Sequence, residues 1–147
     1  MDNILDDKLI RMLQEDGRQS SNVLAKKLGV SSATVRRRIK KLVQSGLLKI
    51  VGLVDPDKAG LPFVAIIAVD VVHDKLSEAV KAITAYPEVI WIAATTGRYD
   101  IIALAHFAES EQFSNFLREE LGRIEGVRDS ETFLCLQVAK GRYQYLY

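Results

Sequence analysis

The chain of 147 residues is 48% hydrophobic and 27% charged, which is typical of a folded globular protein and excludes an intrinsically disordered one. Its apolar runs are much shorter than the roughly 20 residues that cross a bilayer, and its N-terminus is acidic where a secretion signal is basic, so we expect a cytoplasmic protein without a membrane partner. One cysteine and two well-separated histidines give neither an internal disulfide nor a metal-ligand spacing.

Charge is distributed unevenly along the chain. Residues 1–60 hold twelve basic and seven acidic side chains, whereas residues 61–147 hold eight basic and twelve acidic ones. Between Gly17 and Val54 there are nine Lys or Arg residues and no Asp or Glu. A folded surface of this kind is typical of a protein that neutralises phosphates, which predicts double-stranded DNA as a partner.

Periodicity predicts three helices in the first 46 residues. The start and stop signals are Asp6 and Gly17 for the first helix, Ser20 and Gly29 for the second, and Ser31 for the third, whose apolar stripe is Val35, Ile39, Leu42 and Val43. A glycine turn between the last two helices predicts a helix-turn-helix, winged-helix-like domain over residues 1–46. An extended linker is expected at residues 47–61.

The face of the third helix opposite its apolar stripe predicts the DNA contacts. In a helix-turn-helix the N-terminal part of the recognition helix meets base edges, while flanking Lys and Arg residues bind phosphates. The predicted base contacts are Ser32, Ala33, Arg36 and Arg37, and the predicted phosphate contacts are Lys40, Lys41, Lys26 and Lys27. Arg38 lies at the edge of the stripe, so we expect it to pair with Asp6 or Asp7. The alternative interpretation is that these charges form an ordinary solvated helix face.

The second half of the chain predicts a βαββαβ order, which is a ferredoxin-like α+β domain over residues 62–147. The predicted strands are Phe63 to Val72, Val89 to Thr95, Asp100 to Phe107 and Arg128 to Val138, and the predicted helices are Lys75 to Ala85 and Ser110 to Leu121. The helices of such a domain cover one face of the sheet, yet its strands carry apolar residues on both faces. Because a bare apolar sheet is too large a patch for a monomer, we expect a homodimer.

Several short stretches carry a resemblance across most of the chain. They are Leu5 to Ile10, Asp16 to Arg18, Leu24 to Ser31, Val35 to Leu42, Ser45 to Leu48 and Thr96 to Asp100. In their order and spacing they resemble the Lrp/AsnC family of feast/famine transcriptional regulators. The resemblance implies an N-terminal DNA-binding domain, a C-terminal effector-sensing domain, dimers that often assemble into octamers, and control by an amino acid or a related metabolite.

The resemblance also implies an effector site near one turn of the sensing domain. The residues concerned are Thr96, Gly97, Arg98, Tyr99 and Asp100. A zwitterionic ligand needs an anion for its ammonium group and donors for its carboxylate, and Asp100 with nearby backbone N–H groups can supply both. Ser130, Glu131 and Thr132 at the start of the last strand are further candidates, although a solvated strand face explains them equally well. The alternative is an ordinary hairpin, with Gly97 at positive φ and Asp100 capping the turn.

We expect a regulator without a cofactor rather than an enzyme, acting at the nucleoid. Two other functions remain open on the sequence. A nucleoid-architecture protein that wraps DNA with little sequence preference would need the same basic surface. Siroheme decarboxylases resemble the same two-domain order, but neither His73 nor His106 stands where those enzymes place a histidine. Both histidines lack a nearby nucleophile and are expected to be structural.

Overall fold

The computed structural model describes residues 4–139, which form two compact units, 4–53 and 54–139. The boundary between the units falls inside the predicted linker, and the ends of the two predicted domains, residues 1–3 and 140–147, lie outside the described part. No helix of residues 4–139 is both long and apolar enough to cross a membrane.

The first unit contains three helices: α1 (Ile4–Glu15), α2 (Ser21–Leu28) and α3 (Ser32–Gln44). The side chain of Ser20 accepts a hydrogen bond from the backbone N–H of Val23 at the start of α2, and Gly29 ends that helix with φ of 68°. Ser31 caps α3 by accepting from the backbone N–H of Thr34 at 3.1 Å. These caps explain why the helix boundaries were predictable.

The predicted cap at Asp6 was wrong. Helix α1 begins at Ile4, so Asp6 lies inside the first turn, where its charge faces the positive end of the helix dipole. Its carboxylate instead pairs with Arg38 of α3, which confirms the expected ion pair. The core between the three helices is formed by apolar side chains no more than 8% exposed, namely Leu9, Ile10, Leu13, Leu24, Ala25, Val35, Leu42 and Leu48.

The second unit is a four-stranded antiparallel sheet with helices on one face, which confirms the βαββαβ prediction. Its elements are β1 (Phe63–Val71), a 3₁₀ turn (His73–Lys75), α4 (Leu76–Thr84), β2 (Val89–Ala94), β3 (Ile101–Phe107), α5 (Ser110–Asn115), which continues as a π turn (Phe116–Glu120) and a 3₁₀ turn (Leu121–Arg123), and β4 (Val127–Leu134). The strand order β2-β3-β1-β4 places β1 and β3 at the centre.

Residues 47–54, which lie in the predicted extended linker, form neither a helix nor a strand. The end of the last strand differs from its prediction. Strand β4 ends at Leu134 rather than at Val138, since its ladder with β1 runs out near the start of β1. The last contact there is the hydrogen bond from the Cys135 backbone N–H to the Val64 carbonyl at 2.8 Å.

The helix-covered face of the sheet forms the core of this unit. Alternate residues of β1 and β3 pack there against the helices, and the buried set is Ala65, Ile67, Val69, Val71, Ile101, Ala103, Ala105, Phe107, Ala79, Ile83, Phe116 and Leu121. The ring of Phe107 lies 5.4 Å from the rings of both Phe113 and Phe116, centroid to centroid. Burial of these aromatic groups supplies much of the apolar area that stabilises the unit.

The opposite side of the sheet, which we call the open face, is also apolar. Strand alternation and register place on it Val64, Ile66 and Ala68 of β1, Trp91 of β2, Ile102, Leu104 and His106 of β3, and Phe133 of β4. Ile66 is 38% exposed, Trp91 46% and Phe133 52%. No helix of residues 54–139 covers this face.

Candidate nucleic-acid interface and effector site

Helix α3 turns its basic side chains to solvent. Val35 and Leu42 are buried against the other helices, whereas the side chains on the far side are exposed, namely Ala33, Arg36, Arg37, Lys40 and Lys41. Within residues 4–139 the four basic ones have neither an acidic partner nor a hydrogen bond. The surface is therefore cationic and unneutralised, and the helix begins with two small residues, Ser32 and Ala33.

The two lysines of α2 differ from each other. Lys26 and Lys27 are both exposed in the last turn of the helix. Lys27 donates a hydrogen bond to the Gln19 side-chain oxygen at 2.8 Å, and the Gln19 amide in turn donates to the Met12 carbonyl at 2.8 Å. Lys26 has no partner in the described structure. Gln19 was not identified from the sequence. Its partners Met12 and Lys27 lie seven and eight positions away in the chain, and contacts over such distances have no local sequence signature.

Arg38 differs from its neighbours Arg36 and Arg37, because it pairs with Asp6 of α1 instead of facing solvent. Its guanidinium Nη1 lies 3.3 Å from Asp6 Oδ2, and the side chains of Arg38 and Asp6 are only 23% and 16% exposed. Successive residues of a helix are rotated by about 100° around its axis. Because Arg38 faces α1, it cannot lie on the solvent face that carries Arg36 and Arg37. The exposed basic face of α3 therefore excludes Arg38.

In the second unit, the turn between β2 and β3 is tied to the end of β1. Gly97 has φ of 119°, which favours glycine. The hydroxyl of Thr95 donates to the Tyr99 carbonyl at 2.7 Å, and Asp100 accepts with Oδ2 from the backbone N–H of Val71 at 2.9 Å. The Asp100 side chain thus ties the turn to β1 with one carboxylate oxygen and does not bond to a backbone group of residues 96–99.

Tyr99 links the same turn to strand β4. Its hydroxyl donates to Glu131 Oε2 at 2.5 Å, and this bond to a carboxylate raises the pKa of the Tyr99 phenol above its ordinary value. The Arg98 guanidinium lies 5.2 Å from the centroid of the Tyr99 ring, within cation–π range. Nearby, the hydrogen bond from Arg128 to Asp70 at 2.5 Å lowers the pKa of the Asp70 carboxyl.

The structure separates Glu131 from the other two candidates beside it. Glu131 pairs in register with Ala68 and shares the open face, where Tyr99 reaches it. Ser130 and Thr132 pair with Val69 and Ile67, so strand alternation puts both on the other side of the edge strand. Within one chain, the turn at residues 96–100 is therefore brought together with Glu131 and not with Ser130 or Thr132.

The remaining candidate groups form no reactive or metal-binding cluster. The described residues contain no group of three or more His, Cys, Asp or Glu side chains able to hold a metal ion. His106 is 8% exposed on the open face, with Nδ1 buried and without a hydrogen-bond partner in residues 4–139. Cys135 is partly exposed because it lies beyond the end of β4.

Family models match both units. A model described as the Lrp/AsnC ligand binding domain matches residues 64–145, and a winged helix-turn-helix DNA-binding model matches residues 2–49. The ligand-binding model covers most of the sheet unit, and the DNA-binding model covers most of the helical unit. They cover the basic face of α3 and the turn at residues 96–100.

Curated relatives and solved structures agree with these matches. The HTH-type transcriptional regulator PF1231 of Pyrococcus furiosus is 38% identical over 140 residues, which are 95% of each chain. FL11, an HTH-type transcriptional regulator of the same organism, is 36% identical over 95% of each chain. The transcriptional regulator NMB0573 of Neisseria meningitidis, solved in complex with L-Met, superposes with a TM-score of 0.91 at 27% identity, over 97% of this chain and 95% of that one. The chain belongs to the Lrp/AsnC family, as a transcriptional regulator with a helix-turn-helix DNA-binding domain and a ligand-binding domain.

Proposed function

We propose that this regulator binds specific sites on double-stranded DNA through α3 and changes its DNA affinity or assembly when an amino-acid-like effector binds the sensing domain. The observation that carries the DNA part is the unneutralised basic face of α3. In this proposal Arg36 and Arg37 contact guanine edges, Lys40, Lys41, Lys26 and Lys27 contact phosphates, and Ser32 and Ala33 lie at the closest approach. Such binding places the protein at the nucleoid.

The DNA part is tested by removing the two candidate base readers together. Fluorescence anisotropy is measured on a preferred duplex, selected from a random pool, and on a scrambled duplex, each across a salt series. In the Arg36→Ala, Arg37→Ala variant we expect the preference for the selected duplex to fall at least tenfold, since a good bidentate contact is worth about 1–3 kcal/mol. The matched control is Lys8→Ala with Arg11→Ala, which removes the same charge from exposed positions of α1.

The outcomes separate specific recognition from general DNA affinity. Equal binding of wild-type protein to both duplexes contradicts a specific regulator, and equal losses in the double variant and its control contradict the assignment of α3. A steep loss of affinity with rising salt is expected on both duplexes, because each neutralised phosphate releases counterions.

For the effector, we propose a site that includes Thr96, Gly97, Arg98, Tyr99 and Asp100, with Ser130 and Thr132 supplied across an assembly. The L-Met complex of the Neisseria meningitidis regulator supports an amino acid as the ligand class. The exposed Arg98 is suited to a carboxylate, and the negative charge of Asp100 to an ammonium group. No cofactor enters this proposal.

The hydrogen bond that Asp100 accepts from Val71 makes the choice of variant important. Asp100→Asn keeps a side-chain oxygen for the Val71 N–H but removes the negative charge, so we expect a native fold and a lost response. The measurement is calorimetric titration with a panel of amino acids that begins with L-Met. Unchanged affinity in Asp100→Asn would assign Asp100 to the hairpin alone. An absence of heat with the whole panel in the wild-type protein would contradict an amino-acid effector.

We further propose a domain division of residues 1–46, a linker at 47–61 and a sensing domain at 62–147, with a homodimer that assembles to an octamer. The open face supports the dimer, because Ile66, Trp91 and Phe133 are large, apolar and exposed on one surface. A twofold assembly also suits DNA sites with two half-sites about one helical turn apart. Sedimentation equilibrium over a concentration series tests the assembly.

A further inference from the structure

The ion pair between α1 and α3 is the one salt bridge that the structure shows within residues 4–53. It joins residues 32 positions apart in sequence, and both side chains are largely buried. Asp6 Oδ1 and Arg38 Nε are also buried, and neither has a partner in the described chain. The pair is therefore held by a single 3.3 Å contact between Arg38 Nη1 and Asp6 Oδ2, rather than by a bidentate one.

An ion pair of this kind adds little to net stability. Removing two charges from water costs free energy that a single contact repays poorly, and a well-packed apolar pair is often as stable. The apolar core of the three helices already holds α3 through Val35 and Leu42. Stability alone is thus a weak explanation for a charged pair in this place.

The direction of the contact offers a better explanation. Apolar packing is non-directional, whereas a hydrogen-bonded ion pair constrains orientation. Arg37 and Arg36 stand one and two residues before Arg38, at about 100° and 200° around the helix axis. A fixed Arg38 therefore sets the rotation at which these two arginines face outward. Bidentate contact with a guanine requires such a defined orientation.

We propose that Asp6 is a positioning residue for sequence recognition: through Arg38 it sets the rotation of α3 and keeps the Arg38 charge away from phosphates. The inference rests on the proposed DNA binding by α3. Loss of the Asp6 charge has two separate effects, of which the first lowers the preference for the selected duplex and the second raises the affinity for every duplex. The recognition helix gains rotational freedom, which weakens binding to the preferred duplex, and Arg38 becomes free for any phosphate, which strengthens binding to all duplexes.

The test compares Asp6→Asn with Asp7→Asn. Both variants remove one negative charge from the same turn of α1, but Asp7 has no hydrogen-bond or ion-pair partner in the described structure. Dissociation constants are measured on the selected and scrambled duplexes, well below the melting temperature of each variant. We expect the preference for the selected duplex to fall at least tenfold in Asp6→Asn and to stay within twofold of wild type in Asp7→Asn. Asp6→Glu, which keeps the carboxylate, is expected to restore most of the preference.

The inference is overturned if Asp6→Asn and Asp7→Asn prefer the selected duplex equally. It is also overturned if Asp6→Asn has a lowered melting temperature but an unchanged preference for that duplex. If Asp6→Asn does not fold by circular dichroism, Arg38→Lys provides the same comparison, because it keeps the charge and loses the planar guanidinium. A folded Arg38→Lys variant with wild-type preference then overturns it. Failure of the wild-type protein to prefer the selected duplex contradicts the proposed function itself, so the two failures are distinguishable.

Discussion

Tyr99 is the residue at which the sensing unit joins a turn to an edge strand. Its phenol donates to Glu131, and this bond raises the pKa of the phenol. In Glu131→Gln we expect the pKa of Tyr99 to fall toward its ordinary value, because the neutral amide no longer favours the protonated phenol. The measurement is ultraviolet absorbance during alkaline titration, taken as the difference between each protein and its Tyr99→Phe counterpart. An unchanged difference curve would contradict the contact.

The ion pair between Asp70 and Arg128 predicts that the free energy of unfolding depends on pH in the acidic range. The hydrogen bond from Arg128 lowers the pKa of Asp70 in the folded protein below its unfolded value of about 3.9. The pair therefore contributes stability above the unfolded pKa and loses it as the pH falls through the folded pKa. In urea unfolding we expect the stability gap between wild type and Arg128→Gln to be constant from pH 7 to pH 5 and to narrow below about pH 4. A gap that widens in acid would contradict the pairing.

The stability of helix α3 depends on the cap at its N-terminus. The Ser31 hydroxyl binds both the Thr34 N–H and the Thr34 hydroxyl, the latter at 2.9 Å. Ser31→Ala is expected to cost about 1 kcal/mol of unfolding free energy and to fray the turn that carries Ser32 and Ala33. Ser20→Ala, which removes the equivalent cap of α2, serves as the comparison. We expect similar stability losses in both, with a larger loss of DNA affinity in Ser31→Ala. Equal affinities would contradict a role of this turn at the DNA.

The sequence predicted some elements and contacts better than others. The ends of α2 and α3 were predictable because Ser20, Gly29 and Ser31 act on neighbouring residues. The pair of Arg38 and Asp6 was predictable because Arg38 stands at the edge of an apolar stripe. The bond from Tyr99 to Glu131 was not, since it spans 32 residues and depends on how an edge strand is placed. The π turn at Phe116–Glu120 was equally hidden, because its apolar spacing is that of an α-helix.

For the whole molecule, the open face predicts association. Ile66→Lys places a charge at the centre of the apolar surface, so we expect the dimer to dissociate at micromolar concentration while the fold, followed by circular dichroism, is retained. The control is Val23→Lys, which makes the same kind of change at an exposed valine of α2. Sedimentation equilibrium measures both variants. A dimer of unchanged strength in Ile66→Lys would show that the chains associate through another surface.

The two hydrophobic clusters, one around Leu24 and one around Phe107, share no residue. A substitution that retunes the surface of one unit therefore leaves the packing of the other intact, and selection can act on the two surfaces separately. Recombination between related genes at the intervening segment would join an existing DNA-binding domain to a different ligand-binding domain in a single event. Such shuffling offers a direct route by which regulators with this architecture diversify.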